Sequence, residues 1–261
     1  MIEHKRLRVV IVTQDDPFYI CEFFKTFLEK AVALKIDIQL IAILRPFNES
    51  FLSLIKRVFL FYGLVDFTRL GVRYVVLRMF DKIGISTYSL RNLASYYDIQ
   101  FKEIRDVNDT NFISYIKFLS PDVILSVSAP QIFKEELLSV PTWGCINVHS
   151  SRLPKYRGMM PNFWAMYHGD SMAGITVHTM DTQIDKGKII VQKEIPIYHS
   201  DSLDSLIKRS KREGAKLVIQ ALEMIRDGRV KLKDYRGEES YFSFPERRHV
   251  KEFRKRGYRL L

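Results

Sequence analysis

Two cysteines, Cys21 and Cys145, are all that the 261 residues contain, too few for a disulfide framework. Both stand in apolar surroundings, where a free thiol behaves as a small core residue, and a reducing cytoplasm is the expected setting. No run of 18 apolar residues occurs, which excludes a helix that spans a bilayer. The chain opens Met1-Ile-Glu-His-Lys-Arg-Leu-Arg8 without the apolar core of a secretory signal, so a soluble or peripheral protein is expected. No Gly-x-Gly-x-x-Gly follows the first apolar run, which disfavours a nicotinamide cofactor. His168, His178 and His199 are scattered, without ligand spacing to cysteines or carboxylates, and no metal site is expected. Acidic residues are also in deficit, 30 against 41 basic ones, for a formal charge of +11. That balance suits a solvated basic face, a nucleic-acid surface or an anionic small ligand, and does not by itself choose among them.

What the chain does have is apolar substance: 47% of its residues are hydrophobic, enough for a sizeable core. Leu7 to Thr13 reads as a β-branched strand. Asp16-Pro17 reads as N-cap and first position of a helix through about Leu34, with Ile20, Phe23, Phe24, Phe27, Leu28 and Val32 at helical spacing. Ile36 to Leu44 is a second buried strand, and strand, helix and strand in this order imply a parallel sheet with a right-handed crossover. Residues 51–82 are aromatic and basic, with Lys56, Arg57, Arg69, Arg73, Arg78 and Lys82 opposed only by Asp66 and Asp81. Gly63 and Gly71 should break this stretch into short helical pieces. It suits packing on the body of the protein, a homodimer contact, or an anionic membrane surface. Further on, Ser89 to Tyr97 and Asn111 to Leu119 read as helices, Phe101 to Ile104 as a strand, and Asp122 to Ser128 as a buried central strand.

The chemistry is concentrated between Gly144 and Gly187. In Asn147-Val148-His149 strand alternation puts both polar side chains on one face. A Pro/Arg/Gly loop that cannot be sheet follows, then a short aromatic helix, then a β-branched strand leading to Asp185-Lys-Gly187. Asn147, His149, Ser151, Leu153-Pro154, Tyr156-Arg157-Gly158, Pro161, Gly174-Ile-Thr176 and Asp185-Lys-Gly187 together resemble, in order, the signature of the folate-dependent formyltransferases. The resemblance covers roughly residues 120–195.

That resemblance implies an α/β fold with a Rossmann-like, mostly parallel twisted sheet flanked by helices. It implies a catalytic domain over residues 1–200, with the helical insertion at about 50–82, and residues 201–261 as a short helix-strand-helix extension packed on it. The implied reaction moves a formyl group from 10-formyltetrahydrofolate to a primary amine of a small acceptor. Asn147, His149 and Asp185 would be catalytic. Asparagine can donate to an oxyanion, histidine exchanges protons near neutral pH, and the carboxylate orients it. Gln131, Ile132, Phe133, Leu138, Asp181 and Ile184 would form the pterin slot, largely through backbone groups. Ser151, Arg152, Tyr156, Arg157 and Gly158 would face the acceptor, Arg152 standing where an aliphatic residue is usual. His178, on the strand of Thr176, reads as a structural histidine, and Trp143 and Trp164 as core or pocket walls.

Three branches of the resembling family differ in their acceptors. The glycinamide ribonucleotide branch holds a phosphate on a Gly/Ser/Asn-rich first turn; Gln14-Asp15-Asp16-Pro17 would repel one there. The methionyl-tRNA branch carries a separate β-barrel that 60 residues of helix, strand and helix cannot supply. The expectation is therefore an amino sugar or nucleotide-linked amino sugar, with Arg152, Arg157 or the basic helix from Arg247 to Arg256 holding a diphosphate. Nucleic acid is not the expected partner. A hydrolase releasing formate, a methionyl-tRNA formyltransferase-like enzyme and an inactive binding protein are the alternatives.

Overall fold

A computed structural model describes residues 6–44, 50–82 and 89–261. Strands β1 (Arg8–Gln14), β2 (Asp37–Leu44), β3 (Phe101–Ile104), β4 (Val123–Val127) and β5 (Gly144–His149) are parallel, and β7 (Met172–Thr179) and β8 (Ile189–Pro196) complete the sheet as antiparallel neighbours. The order is β3-β2-β1-β4-β5-β7-β8. Central strands come from β-branched runs because both of their faces are covered. One face packs against α1 (Ile20–Ala33), α3 (Leu90–Tyr96), α6 (Pro161–His168) and α7 (Leu203–Arg226) through Val9, Ile11, Leu125, Ile146, Ile175 and Val177. The other holds a smaller core built by Val10, Val12, Leu40, Ile124 and Cys145 under α4 (Thr110–Leu119) and α5 (Glu135–Leu138).

α7 begins at a capping box between Ser202 and Ser205 and buries Leu206, Val218 and Leu222 in the same core cluster as α1. The extension expected from residue 201 onward is packed on the rest of the chain, in the core cluster it shares with α1. α8 (Arg247–Lys255) buries Val250 and Phe253, and Phe253 stacks on Phe163 of α6 at 4.7 Å between centroids.

Three local expectations are corrected. Asp16 does not cap α1: its Oδ1 accepts from the N–H groups of Phe18 and Tyr19 at 2.8 and 3.3 Å, closing a turn before a helix whose N-cap is Tyr19. Of the two breaks expected in residues 51–82, the one at Gly63 is present, where non-helical backbone (φ 69°) divides α2 (Phe51–Lys82) into two helical parts; the one at Gly71 is not, since the helix runs on through it and a Cβ there would meet no crowding. The loop expected not to be sheet contains a two-residue strand, β6 (Arg157–Gly158), paired in parallel with β9 (Tyr241–Phe242). That partner lies 84 residues downstream, beyond the reach of local pattern.

Candidate active site

On the face of the second core, the apolar rows stop at β5 and a polar set takes over. Asn147 and His149 share this face, and their antiparallel partners in β7 are His178 and Thr176. Paired residues point the same way, so four polar side chains meet on one patch. His149 is buried and His178 more so.

Asp185 comes to this patch on the turn between β7 and β8, in the left-handed conformation (φ 52°) that aspartate tolerates better than most residues. Its Oδ2 lies 3.6 Å from His149 Nδ1 and its Oδ1 lies 3.5 Å from Asn147 Nδ2 and 3.6 Å from His178 Nε2. The Gly158 N–H donates to Oδ2 at 3.0 Å. Arg157 donates twice to the Ile184 carbonyl, at 3.1 and 2.7 Å, and so clamps the turn from the other side. Gly187 closes it: a Cβ there would stand 1.6 Å from the Thr179 carbonyl oxygen, so only glycine fits.

The hydrogen bonds determine the tautomers. A carbonyl can only accept, so His149 Nε2, 2.8 Å from the Tyr156 carbonyl, carries a proton, and the free lone pair of the neutral ring is on Nδ1, facing Asp185. By the same reasoning His178 donates from Nδ1 to the Thr179 carbonyl at 2.8 Å, and its Nε2 accepts from Asn147 Nδ2 at 3.2 Å. This orients the Asn147 amide with its NH₂ toward the histidine and the carboxylate. Burial alone would push the Asp185 carboxyl up. When protonated, His149 attracts it and His178 donates to it from Nε2; with the Gly158 N–H these outweigh burial and hold the group below the usual carboxylate range. Asp185 is thus an anion fixed between two imidazoles, able to stabilise a proton arriving on either.

A family model for formyl transferase matches residues 80–222. The chain belongs to the formyl transferase family. It is 38% identical over 135 residues to a methionyl-tRNA formyltransferase of Thermodesulfovibrio yellowstonii, an alignment covering 52% of this chain and 44% of that one. The chain thus spans less than half the length of this curated relative. Its fold is that of a glycinamide ribonucleotide transformylase from Symbiobacterium toebii (TM-score 0.62, 14% identity, 89% of this chain and 96% of that one). A sugar 3N-formyl transferase, solved in the presence of dTDP and 5-N-formyl-THF, shares it too (TM-score 0.56, 18% identity, 92% and 70% covered).

Within this formyl transferase fold the expected site residues divide. Asn147, His149, Asp185 and Gly158 come together, and Arg157 and Tyr156 act at one remove. Tyr156 offers its carbonyl to His149 while its hydroxyl donates to Asp170 at 2.9 Å. Arg152 faces away, exposed and paired with Glu194 of β8 at 3.1 Å. Ser151 is buried beneath the loop and its hydroxyl has no protein partner. Of the expected pterin slot, Ile132 and Ile184 are exposed, whereas Phe133 lies in the second core and Leu138 packs against it. Gln131 turns back to tie its loop to the one after β3, accepting from the Val107 N–H and donating to the Arg105 carbonyl, both at 2.8 Å. Asp181 is exposed and accepts from the Gln183 N–H at 2.6 Å.

Two contributors were missed by sequence reading. His178, read from the sequence as a structural histidine, is buried and satisfied as expected, and it also touches Asn147 and stands beside Asp185; its shared parity with Thr176 is the signal for that. Ser240 gave no signal: its hydroxyl accepts from the Tyr156 N–H at 2.8 Å and its carbonyl from the Arg157 N–H at 2.9 Å, holding the loop that holds His149.

A second polar group gathers at the carboxyl edge of the sheet. Val127 and Val148 are register partners, so β4 and β5 leave the sheet side by side at Ser128 and His149. Lys211 of α7 donates to the Ser128 hydroxyl at 2.6 Å. Enclosure pulls the Lys211 ammonium down and pushes the Asp16 carboxyl up, each partly opposed by the other's charge. Beside this turn a cleft of about 390 Å³ opens, lined by Pro17, Phe18, Lys25, Arg73, Leu77 and Lys208 among others.

Proposed function

We propose that this protein transfers a formyl group from 10-formyltetrahydrofolate to a primary amine of a small acceptor, an amino sugar or its nucleotide-linked form. The observation that carries the reading is the Asn147, His149 and Asp185 constellation, with Asp185 within 3.6 Å of both partners. The acceptor nitrogen attacks the formyl carbon, forming a C–N bond and an oxyanion. Asn147 Nδ2 donates to that oxyanion, which displaces only the long 3.5 Å contact to Asp185. The ammonium proton passes to His149 Nδ1, the nitrogen left free by the Tyr156 carbonyl, and Asp185 stabilises the imidazolium. A direct hydrogen bond across 3.6 Å is too long, so Asp185 acts on His149 as a nearby charge. The C–N bond to N10 then breaks, and tetrahydrofolate leaves with a proton returned from the site.

Exposed Ile132 and Ile184, on the two loops assigned to the pterin, supply apolar walls for it. For the acceptor, Asp16 and Ser128 suit sugar hydroxyls. The cleft next to them carries Lys25, Arg73 and Lys208 beside Glu22, which pairs with Arg212, and Asp204, which pairs with Arg73 and Lys208; the remaining excess of positive charge suits a diphosphate. These take the role expected of Arg152 and Arg157, which are committed to Glu194 and Ile184. Methionyl-tRNA is the second reading, favoured by the 38% identity over the catalytic stretch.

The test is formyl transfer from 10-formyltetrahydrofolate to a panel of nucleotide-linked amino sugars, initiator methionyl-tRNA and glycinamide ribonucleotide, with an amine-free control for formate. Turnover of an amino sugar is expected. Preference for methionyl-tRNA establishes the second reading, and equal formate release without any amine makes the protein a hydrolase.

A further inference from the structure

α2 lies outside the segment matched by the family, apart from its last turn, and its two sides differ sharply. Inward, Phe61, Tyr62 and Leu70 are buried, and Phe61 packs on Phe163 and Phe244 at 5.8 and 5.2 Å. Arg254 of α8 clips the kink, donating to the Tyr62 carbonyl at 2.5 Å and pairing with Asp66 at 2.8 Å. Outward, Val65, Thr68, Val72, Val75 and Met79 follow one another at three- and four-residue steps, which is one stripe of a helix. Val65, Val72 and Met79 are 62%, 65% and 61% exposed. Before the kink, Leu52, Ile55 and Phe59 repeat the pattern, also exposed. A monomer gains nothing from holding such a stripe in water.

The charges beside the stripe select what covers it. Lys56, Arg69 and Lys82 are exposed along α2. Its two carboxylates are occupied: Asp66 with Arg254 and Arg69, Asp81 accepting from the Ser89 N–H and Asn92. α8, packed on α2, adds exposed Lys251 and Lys255. A second copy seated on this stripe would set cationic rims against each other. A surface that is apolar inside and anionic at its rim matches both features, which is the profile of a bilayer containing acidic lipids. Among the described residues no helix is long and apolar enough to cross a membrane, so the contact is one of lying on the surface.

We propose that α2 docks this protein on an anionic lipid surface, with Val65, Val72, Val75 and Met79 at acyl-chain depth and Lys56 and Lys82 on lipid phosphates. The test is co-sedimentation of the full chain with vesicles of phosphatidylcholine alone and of phosphatidylcholine with roughly one-third phosphatidylglycerol. Binding is expected only to the acidic vesicles, falling about tenfold or more between low salt and 0.5 M salt as screening shortens the reach of the cations. Val72→Asp and Met79→Asp should abolish it, and Lys56→Glu with Lys82→Glu should weaken it, with unchanged unfolding midpoints, since all four side chains are exposed. Equal binding to neutral vesicles, binding to neither, or a dimer in light scattering that Val72→Asp dissolves would each overturn the proposal.

Discussion

The Asn147 amide has its orientation imposed by His178. The hydrogen bond at 3.2 Å from Nδ2 to His178 Nε2 turns donors, not the carbonyl oxygen, toward the patch where the proposed reaction would form its oxyanion. Asn147→Ala and His149→Ala should each lower kcat by about 10²–10³-fold, the usual loss of an oxyanion donor or general base, while the unfolding midpoint stays near that of the wild type. Wild-type rates in both would remove the proposed roles. His178→Gln keeps a donor and acceptor but loses the ring, and a smaller loss in kcat, up to about 10²-fold, is expected with KM for the folate little changed. The carboxyl of Asp185 is depressed below its unfolded value, so its ionised form favours folding. That contribution is complete above about pH 4 and disappears as pH falls through the folded value. Asp185 therefore stays charged throughout an assay range of pH 5 to 9, and a carboxyl carbon resonance that titrates in that range would contradict this. Gly187→Ala puts a methyl 1.6 Å from the Thr179 carbonyl oxygen and should cost at least about 1–3 kcal/mol in denaturant unfolding, with loss of activity.

Among the elements, β1 and β4 are joined at their start by a clip. Asp122 accepts from the Arg8 backbone N–H at 2.9 Å, from its guanidinium at 3.2 and 3.1 Å, and from the Thr142 hydroxyl at 3.1 Å. Burial raises the Asp122 carboxyl, these bonds lower it, and the balance lies below the usual range. Asp122→Asn should then lose roughly 1–3 kcal/mol at neutral pH. The gap to wild type should close as pH falls below about 4, the unfolded value, because the depressed group protonates last in the folded chain; a gap independent of pH would mean the charge is irrelevant. The buried strand Val123–Val127 was legible in the sequence as a short continuous apolar run, and the helix Thr110–Leu119 by its 3.6-residue period, each within its own length. The pairing of Arg157–Gly158 with Tyr241–Phe242 was not, since neither segment has a period and each is strand only because the other is there. The same holds in the site. Asn147, His149 and Asp185 stand in a local motif, whereas the contribution of His178 depends on the antiparallel register of β7, and that of Arg152 on a glutamate of β8.

At the scale of the whole molecule, residues 201–261 are structural to the rest. α7 lies on α1 within one core cluster, and a Cβ at its Gly214 would sit 3.4 Å from Val148 of β5, the strand of Asn147 and His149. Removing residues 201–261 strips the apolar cover from one sheet face. The truncated chain should show no cooperative thermal transition and should bind a hydrophobic dye, where the full chain unfolds in one step. A folded, soluble 1–200 fragment would show that the boundary near residue 200 separates autonomous units. The bonds from Ser240 to Tyr156 and Arg157 also have a meaning in time. A chain emerging from the ribosome presents Asn147 and His149 well before residues 240–242 are in the open, so the loop that sets the His149 tautomer stays unsupported until then. Until then Asn147 and His149 would stand on their strand without the loop arrangement that the full chain gives them.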